Sequence, residues 1–420
     1  MFSGIAGGIN LNEKTINSIS KCLGNRSLCA SKISNIAFLT VNSKLYNSKE
    51  VNNLSNDEIA LLAFDGKLYG CKNKKRFDIV NSFSSKSNFN EVYGKFAVAV
   101  AKTDGSILLA RDYPGSIPLF YCLENNVFAF STVYGLLEKI GLKKVQAVQP
   151  GTNILYKKGK ISTINWYNST VKNSPDYDAV SNIDNLFDET IKEIMSCYKN
   201  APVGIMLSGG VDSALLSHYI SKYTSNVYSY VMDGEDKHYG ELVSKLFGFK
   251  INIIDNSLIE REKILFTSYN YNKQFENLNN SLFVPTYVIA KKANADNVKL
   301  LFSGDGIDEL FGGYDLSCDT QSMNIAIRNM VDSMFLYSLD RLHVACNTNN
   351  VSVAVPFLHQ KIIEAAFSID AKYKQNKYLI RKIAEKYLPN NIAWREKSPL
   401  QVSTHSYELL YKRKWIGLHH

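Results

Sequence analysis

Two short loops hold most of the chemistry available to this sequence. Ser208-Gly209-Gly210-Val211-Asp212-Ser213 follows the strand-like run Val203 to Leu207 and opens a helix expected over Ser213 to Tyr223. Glycines at such a junction let backbone N–H groups approach an anion closely, the two serines add hydroxyls, and the helix N-terminus adds the positive end of its dipole. That set suits a pyrophosphate. It is neither the G-x-x-x-x-G-K-[ST] loop nor the G-x-G-x-x-G fingerprint, which counts against kinase-like γ-phosphoryl transfer and hydride transfer. A plain strand-to-helix turn would not need an acid and both hydroxyls in the same six residues. The second loop, Ser303-Gly304-Asp305-Gly306-Ile307-Asp308-Glu309-Leu310-Phe311-Gly312-Gly313-Tyr314, follows another strand-like run. Asp212 and Asp308 are then candidate Mg²⁺ ligands, because Mg²⁺ favours one or two carboxylates together with substrate phosphates. Taken alone, the second loop also reads as an acidic helix cap.

Elements of two kinds must position these loops. Up to about residue 167, short β-rich runs (Ile36 to Val41, Phe96 to Ala101, Ser106 to Ala110, Val127 to Ser131) are separated by turns such as Asp104-Gly105 and Asn125-Asn126, which predicts a layered α+β sheet domain over 1–170. A polar stretch from Asn168 to Asn182 reads as a linker. From 183 to 420 apolar runs alternate with amphipathic segments: strands at Val203 to Leu207, Val227 to Met232, Lys250 to Ile254 and Lys299 to Phe302, and helices near His238 to Phe247 and Thr286 to Ala295. This rhythm predicts a doubly wound parallel α/β sheet. In such a sheet ligands bind beyond the carboxyl ends of the strands, where the strand order reverses, so both loops can face one nucleotide.

The bulk properties set bounds. A chain of 420 residues is expected to form two domains, and 45% hydrophobic with 21% charged residues fits an ordinary globular protein. The net charge of +9 is spread out, with one short basic cluster at Lys72, Lys74, Lys75 and Arg76, so no nucleic-acid partner is expected. No apolar run approaches a membrane span, and Met1-Phe2-Ser3-Gly4 lacks a signal-like flank, which predicts a cytoplasmic protein. The seven cysteines are scattered and read as reduced thiols. His419-His420 is assigned no function.

The two loops, in this order and spacing, resemble those of the asparagine synthetase family. Val355-Pro356-Phe357-Leu358, Lys377-Tyr378-Leu379-Ile380-Arg381-Lys382 and Leu388-Pro389-Asn390-Asn391-Ile392-Ala393-Trp394-Arg395-Glu396-Lys397 extend the match. The resemblance implies an ATP-pyrophosphatase fold and an enzyme that adenylates a carboxylate and lets an amine displace AMP. It implies ATP as co-substrate, Asp212 and Asp308 holding Mg²⁺ on pyrophosphate, and Leu207, Met232 and Gly304 lining the adenine and ribose site. Ser208, Gly209, Gly210, Val211, Asp212, Ser213 and Asp305 would hold the nucleotide, and Lys397 would stabilise charge on the reacting groups. A homodimer is a further family-level expectation.

The first half resembles the family's glutaminase domain, an Ntn-hydrolase-like fold, through Arg111-Asp112-Tyr113-Pro114-Gly115-Ser116-Ile117-Pro118-Leu119-Phe120 and Gln149-Pro150-Gly151. Its chemistry departs. The family's nucleophilic cysteine is replaced by Phe2, and its oxyanion-stabilising Asn-Gly by Asp65-Gly66, whose carboxylate would repel an oxyanion. Glutamine hydrolysis is therefore not expected, and the nitrogen comes from ammonia or from an amine on a substrate. Relatives that lack the cysteine include the β-lactam and carbapenam synthetases. They carry a tyrosine where this chain has Asp305, paired with a glutamate whose position matches Asp340, sixteen residues before Pro356. Asp305 and Asp340 are thus candidate catalytic groups, Asp340 as general base. The alternative for Asp340 is a surface pair with Arg341 or a nearby lysine. Ser352 and Ala354 stand where the family carries a glutamate and an arginine, and Asn279 to Val284 contains no arginine to grip an aspartate side chain. The expected activity is an amide or lactam ligase acting on a specialised metabolite or peptide. The alternatives are an ammonia-dependent asparagine synthetase and a non-catalytic nucleotide-binding relative; sulfur transfer is disfavoured for want of a cysteine pair.

Overall fold

The computed structural model describes residues 4–23, 28–41, 44–47, 59–69, 92–133, 135–167, 179–262, 276–314 and 320–396. The chain divides into two compact units, Met1–Ser169 and Thr170–His420. Phe2, Lys72 to Arg76, Cys71, Cys318, Lys397 and most of the expected linker lie outside the described residues.

The first unit contains two antiparallel sheets of six strands each. One orders β10 (Gln146–Ala147), β8 (Phe120–Glu124), β9 (Val127–Ser131), β1 (Gly4–Ile9), β3 (Ile36–Val41) and β2 (Leu28–Ile33). The other orders β12 (Lys160–Asn165), β11 (Thr152–Lys157), β7 (Ile107–Arg111), β6 (Gly94–Lys102), β5 (Ile59–Leu68) and β4 (Lys44–Asn47). Strand side chains alternate between faces. Ile5, Phe38, Phe128 and Phe130 of the first sheet therefore share a core with Leu61, Ala99, Leu109 and Ile154 of the second. The opposite face of the first sheet, with Ala6, Leu39 and Ala129, packs on Ile19 and Leu23 of the helix Glu13–Leu23. Asn125 and Asn126 take φ of 50° and 64° between β8 and β9, the backbone a two-residue hairpin requires. The strands expected at Ile36 to Val41 and Val127 to Ser131 coincide with β3 and β9.

The second unit is built on a parallel sheet ordered β15 (Lys250–Ile254), β14 (Val227–Met232), β13 (Val203–Met206), β16 (Leu300–Phe302) and β17 (Ser352–Ala354). Succession runs outward from β13 in one direction and resumes at β16 in the other, so the order reverses between those neighbours. β17 went unread in the sequence because three residues carry too little periodicity. The helix after β13 spans Val211–Ser221, earlier than expected. Gly210 is its extended N-cap, with φ −75° and ψ 162°, and Asp212 consequently occupies the first turn. The helix Glu276–Ala295 begins well before Thr286 and carries Pro285 inside it.

An aromatic node joins these parts. Phe187, on the helix Ala179–Ser196, meets Tyr219, Phe311 and Phe357 edge-on at centroid distances of 5.8, 6.2 and 4.7 Å, a favoured aromatic geometry. Its partners lie on the helix after β13, at the end of the second loop and in the Val355 to Leu358 segment. Next to that segment, buried His359 caps the helix Gln360–Ser368. Burial, with Lys361 adding to it, pulls the imidazole down to about 4. The folded protein holds His359 neutral while the unfolded chain protonates it near the ordinary value of ~6.5. Its contribution to stability is complete above that value and lost as pH falls toward about 4. Urea unfolding at pH 7 and pH 4.5 checks this: the wild type loses about 2 kcal/mol more than His359→Gln between the two conditions.

Candidate functional site

The reversal of strand order places the two loops side by side. Leu207, whose N–H donates to the Tyr230 carbonyl at 2.9 Å, continues β13 into the first loop. Gly209 adopts φ +73°, and a Cβ there would lie 2.5 Å from Tyr239 Cβ, so the loop leans on the helix Lys237–Leu246 and needs glycine. The Ser208 and Ser213 hydroxyls are 3.1 Å apart, and Ser208 Oγ accepts the Gly210 N–H at 3.3 Å. Gly304, just after β16, comes so close to the first loop that a Cβ on it would be 3.3 Å from Ser213 N. Met232 is buried at the end of β14. The candidate nucleotide residues on β13, β14 and β16 therefore gather at one edge of the sheet.

The strongest electrostatic feature comes from a third segment. Lys377 Nζ lies 2.6 Å from Asp212 Oδ2 and 2.6 Å from Asp308 Oδ1. Burial pulls the Lys377 ammonium down, but Asp212 and Asp308 outweigh it and hold the group above the ordinary lysine range. Lys377 takes φ +58°, a backbone region that L side chains visit at a cost of about 1–2 kcal/mol. Such strain persists where surrounding contacts overdetermine it. Gly313 closes over the pair, since a Cβ there would lie 1.8 Å from Asp308 Oδ1.

Asp308 and Asp212 suit a divalent cation in chemical type: two hard-oxygen donors share one cationic neighbour, next to the Ser208 to Ser213 loop. One lysine against two carboxylates leaves the cluster with an excess negative charge, which favours a further cation.

Behind the second loop, Asp305 is held by three donors. Its Oδ1 accepts from Ser338 Oγ at 2.6 Å and Arg341 Nη2 at 3.0 Å, and its Oδ2 accepts from Ser303 Oγ. Arg341 is buried and also donates to Thr286 Oγ1 at 2.9 Å. Asp340 does not lie on the helix surface that its alternative reading expected, and Arg341 is not directed to it. Asp340 is buried in the helix Ser338–Thr348, and the neighbouring guanidinium is directed to Asp305. Burial of the whole helix turn against Thr286 and the second loop leaves Arg341 nearer that carboxylate.

Three groups escaped the sequence reading. Glu309 is buried, accepts the Gly306 N–H at 3.2 Å and the Tyr314 hydroxyl at 2.9 Å, and is pushed up to about 7 by burial, then by Asp308 and Asp305. Arg381 donates to the carbonyls of Ala393 and Arg395, both at 2.9 Å, and senses the charges of Asp212 and Asp308. Lys377 and Arg381 both fall in the segment Lys377 to Lys382, which the sequence singled out without a chemical role.

A doubly wound sheet with a glycine- and serine-rich loop and paired carboxylates at its switch point defines an α/β protein with its candidate ligand site at the strand ends, and the matches to known proteins specify which. Residues 182–332 and 319–417 match the asparagine synthase family, and residues 22–139 match a glutamine amidotransferase domain. The chain belongs to the asparagine synthase family and is an ATP-dependent ligase that forms C–N bonds. A Methanocaldococcus jannaschii protein named as an asparagine synthetase of the glutamine-hydrolysing kind is 24% identical over 399 residues, covering 80% of this chain and 73% of its own. Asparagine synthetase B of Escherichia coli, also named as glutamine-hydrolysing, is 22% identical over 401 residues, covering 86% and 68%.

Replacing the central ammonium exposes the repulsion it relieves. Lys377→Met is expected to lower the unfolding free energy by about 3 kcal/mol, because two partly buried carboxylates lose their shared partner. Asp308→Asn in the Lys377→Met background is expected to recover part of that loss. Equilibrium urea unfolding of the three proteins checks both statements.

Proposed function

We propose that this ligase activates a carboxylate with ATP and closes an amide or lactam bond with an amine carried by a small molecule or peptide, without hydrolysing glutamine. The observation that carries the second part is the place of Asp65. Its carboxylate oxygen lies 3.4 Å from Thr132 Oγ1, and a Cβ on Gly4 would be 4.0 Å from Asp65 Oδ2. The head of β1 therefore faces a buried acid. Phe2 stands two residues ahead of that strand, without a nucleophilic atom. A tetrahedral oxyanion forming there would meet negative charge rather than a donor. The glutamine-hydrolysing relatives differ from this reading in what their names say they do.

In the second unit the substrate carboxylate would attack the α-phosphorus of ATP, making a mixed anhydride and expelling pyrophosphate. The Ser208 to Ser213 loop would hold the departing phosphates through backbone N–H groups and hydroxyls. The Lys377 ammonium would stabilise charge that grows on the leaving oxygen. Mg²⁺ held by Asp212 and Asp308 would neutralise pyrophosphate charge. The amine nitrogen would then attack the acyl carbon, AMP would leave with the anhydride electrons, and a base would take the amine proton. Asp340 is the proposed base, with Lys397 stabilising the acyl-transfer charge and Asp305 holding the second loop. Asp340 is buried, which shields such a base from bulk water.

Release of AMP and pyrophosphate from Mg-ATP, followed by mass spectrometry, tests the reaction. Turnover is expected with a fraction of a metabolite extract and absent with glutamine alone. Turnover with aspartate and ammonium as the only productive pair would replace this reading by ammonia-dependent asparagine synthesis. Glutamine incubated with the protein is expected to yield no glutamate above a blank; glutamate formation would overturn the glutaminase-free assignment.

A further inference from the structure

The segment before Lys397 is tied to the wall of the first loop by contacts that the proposed reaction leaves unused. Arg395 forms an ion pair with Asp236, the N-cap of the helix Lys237–Leu246. Both side chains are largely buried, at 13% and 11% exposure. The Arg395 guanidinium carbon lies 3.9 Å from the centroid of the Tyr239 ring. Tyr239 is the residue whose Cβ presses on Gly209, and its N–H donates to the Asp236 carbonyl at 3.1 Å. From the other side, Arg381 holds the Arg395 carbonyl at 2.9 Å.

We infer that Arg395 is a positioning residue for the phosphate loop: stacked on Tyr239 and paired with Asp236, it keeps Gly209 in the left-handed conformation that directs the loop toward an anion. The inference rests on reading Ser208 to Ser213 as the nucleotide phosphate site. The physical chain is short. A planar guanidinium over an aromatic face is attracted by the ring quadrupole, more so where water is excluded. The ion pair with Asp236 removes the guanidinium's freedom to leave the ring. With the helix N-terminus held at Asp236 and Tyr239, the Tyr239 Cβ and Gly240 N, 2.5 and 2.8 Å from where a Gly209 Cβ would stand, form a fixed wall behind the loop. Without Arg395 the first turn of the helix Lys237–Leu246 loses its ion pair at Asp236 and its stack at Tyr239, so the backbone under the loop is free to shift and phosphate groups would have to order the loop at the cost of affinity. Arg381 completes the link by joining the 393–395 backbone to the neighbourhood of Asp212 and Asp308.

Calorimetric titration with pyrophosphate and with ATP, each with MgCl₂, tests this on the full chain. Arg395→Ala is expected to weaken both ligands by about tenfold, equivalent to about 1.4 kcal/mol. Arg395→Lys, which keeps a cation over the ring, is expected to restore most of the affinity. In steady-state assays the KM for ATP rises about tenfold while kcat changes less than about threefold, the pattern of lost ground-state support. Should Arg395→Ala not fold, Asp236→Asn carries the same expectation of weaker binding. A folded Arg395→Ala that binds both ligands like the wild type overturns the inference, as does a fall in kcat with unchanged KM. Wild-type binding of pyrophosphate without AMP formation from any substrate would defeat the ligase reading alone, because the titration still decides the role of Arg395. Wild-type failure to bind either ligand would overturn both.

Discussion

One ammonium between two carboxylates organises the catalytic half of this protein. Asp212, Asp308 and Lys377 come from widely separated parts of the chain, and each carboxylate lies 2.6 Å from the same nitrogen. Two acids that close repel strongly in a partly buried place unless a cation stands between them. The remaining geometry of the site follows from meeting that demand. The helix after β13 must start early enough for Asp212 to occupy its first turn, β16 must lie beside β13, and the backbone at Lys377 must accept a left-handed conformation. Gly304 and Gly313 lack side chains where the loops press on each other, since a Cβ at either would crowd Ser213 or Asp308.

The N-terminal unit is held together by contacts that require no reaction. Its two stacked sheets and the buried Arg111-Asp112 corner remain organised. Arg111 donates to the Val148 and Gly115 carbonyls, and Asp112 accepts the Phe96 and Ser116 N–H groups. These bonds satisfy buried backbone groups that would otherwise be costly, so the corner has a folding role independent of any chemistry. Asp65 lies within β5, opposite Ala97. Fold and reaction therefore place separate demands on the same residues.

Tertiary contacts also decide which charged groups can act. Asp305 and Asp340 were both candidate catalytic groups, Asp340 alone as the base. In the folded chain Asp305 is surrounded by Ser303, Ser338 and Arg341, whereas Asp340 is buried one residue before the arginine that turns to Asp305. Arg341 also answers a question raised by the arginine-free segment Asn279 to Val284. A guanidinium does reach the helix Glu276–Ala295, at Thr286, but it arrives from another helix with its charge already engaged.

The amino-acid sequence by itself determined the doubly wound class, the strand runs of both halves and the two loops. Those properties are local: alternation, apolar runs, and glycine and serine at strand-to-helix junctions leave a signal within a few residues. Phe2 and Asp65-Gly66, at the positions where the resemblance expects a cysteine and an Asn-Gly, were equally legible, because residue type is read directly. Lys377 as the partner of Asp212 and Asp308, Glu309 as a buried cap, the pairing of Arg341 with Asp305 and that of Arg395 with Asp236 were decided only by tertiary structure. Each joins a charge to a group brought near by chain crossings, and the sign and spacing of isolated residues do not reveal which opposite charge will be closest once water is excluded. β17 belongs with them, since three residues become a strand only when β16 supplies its hydrogen-bonding edge.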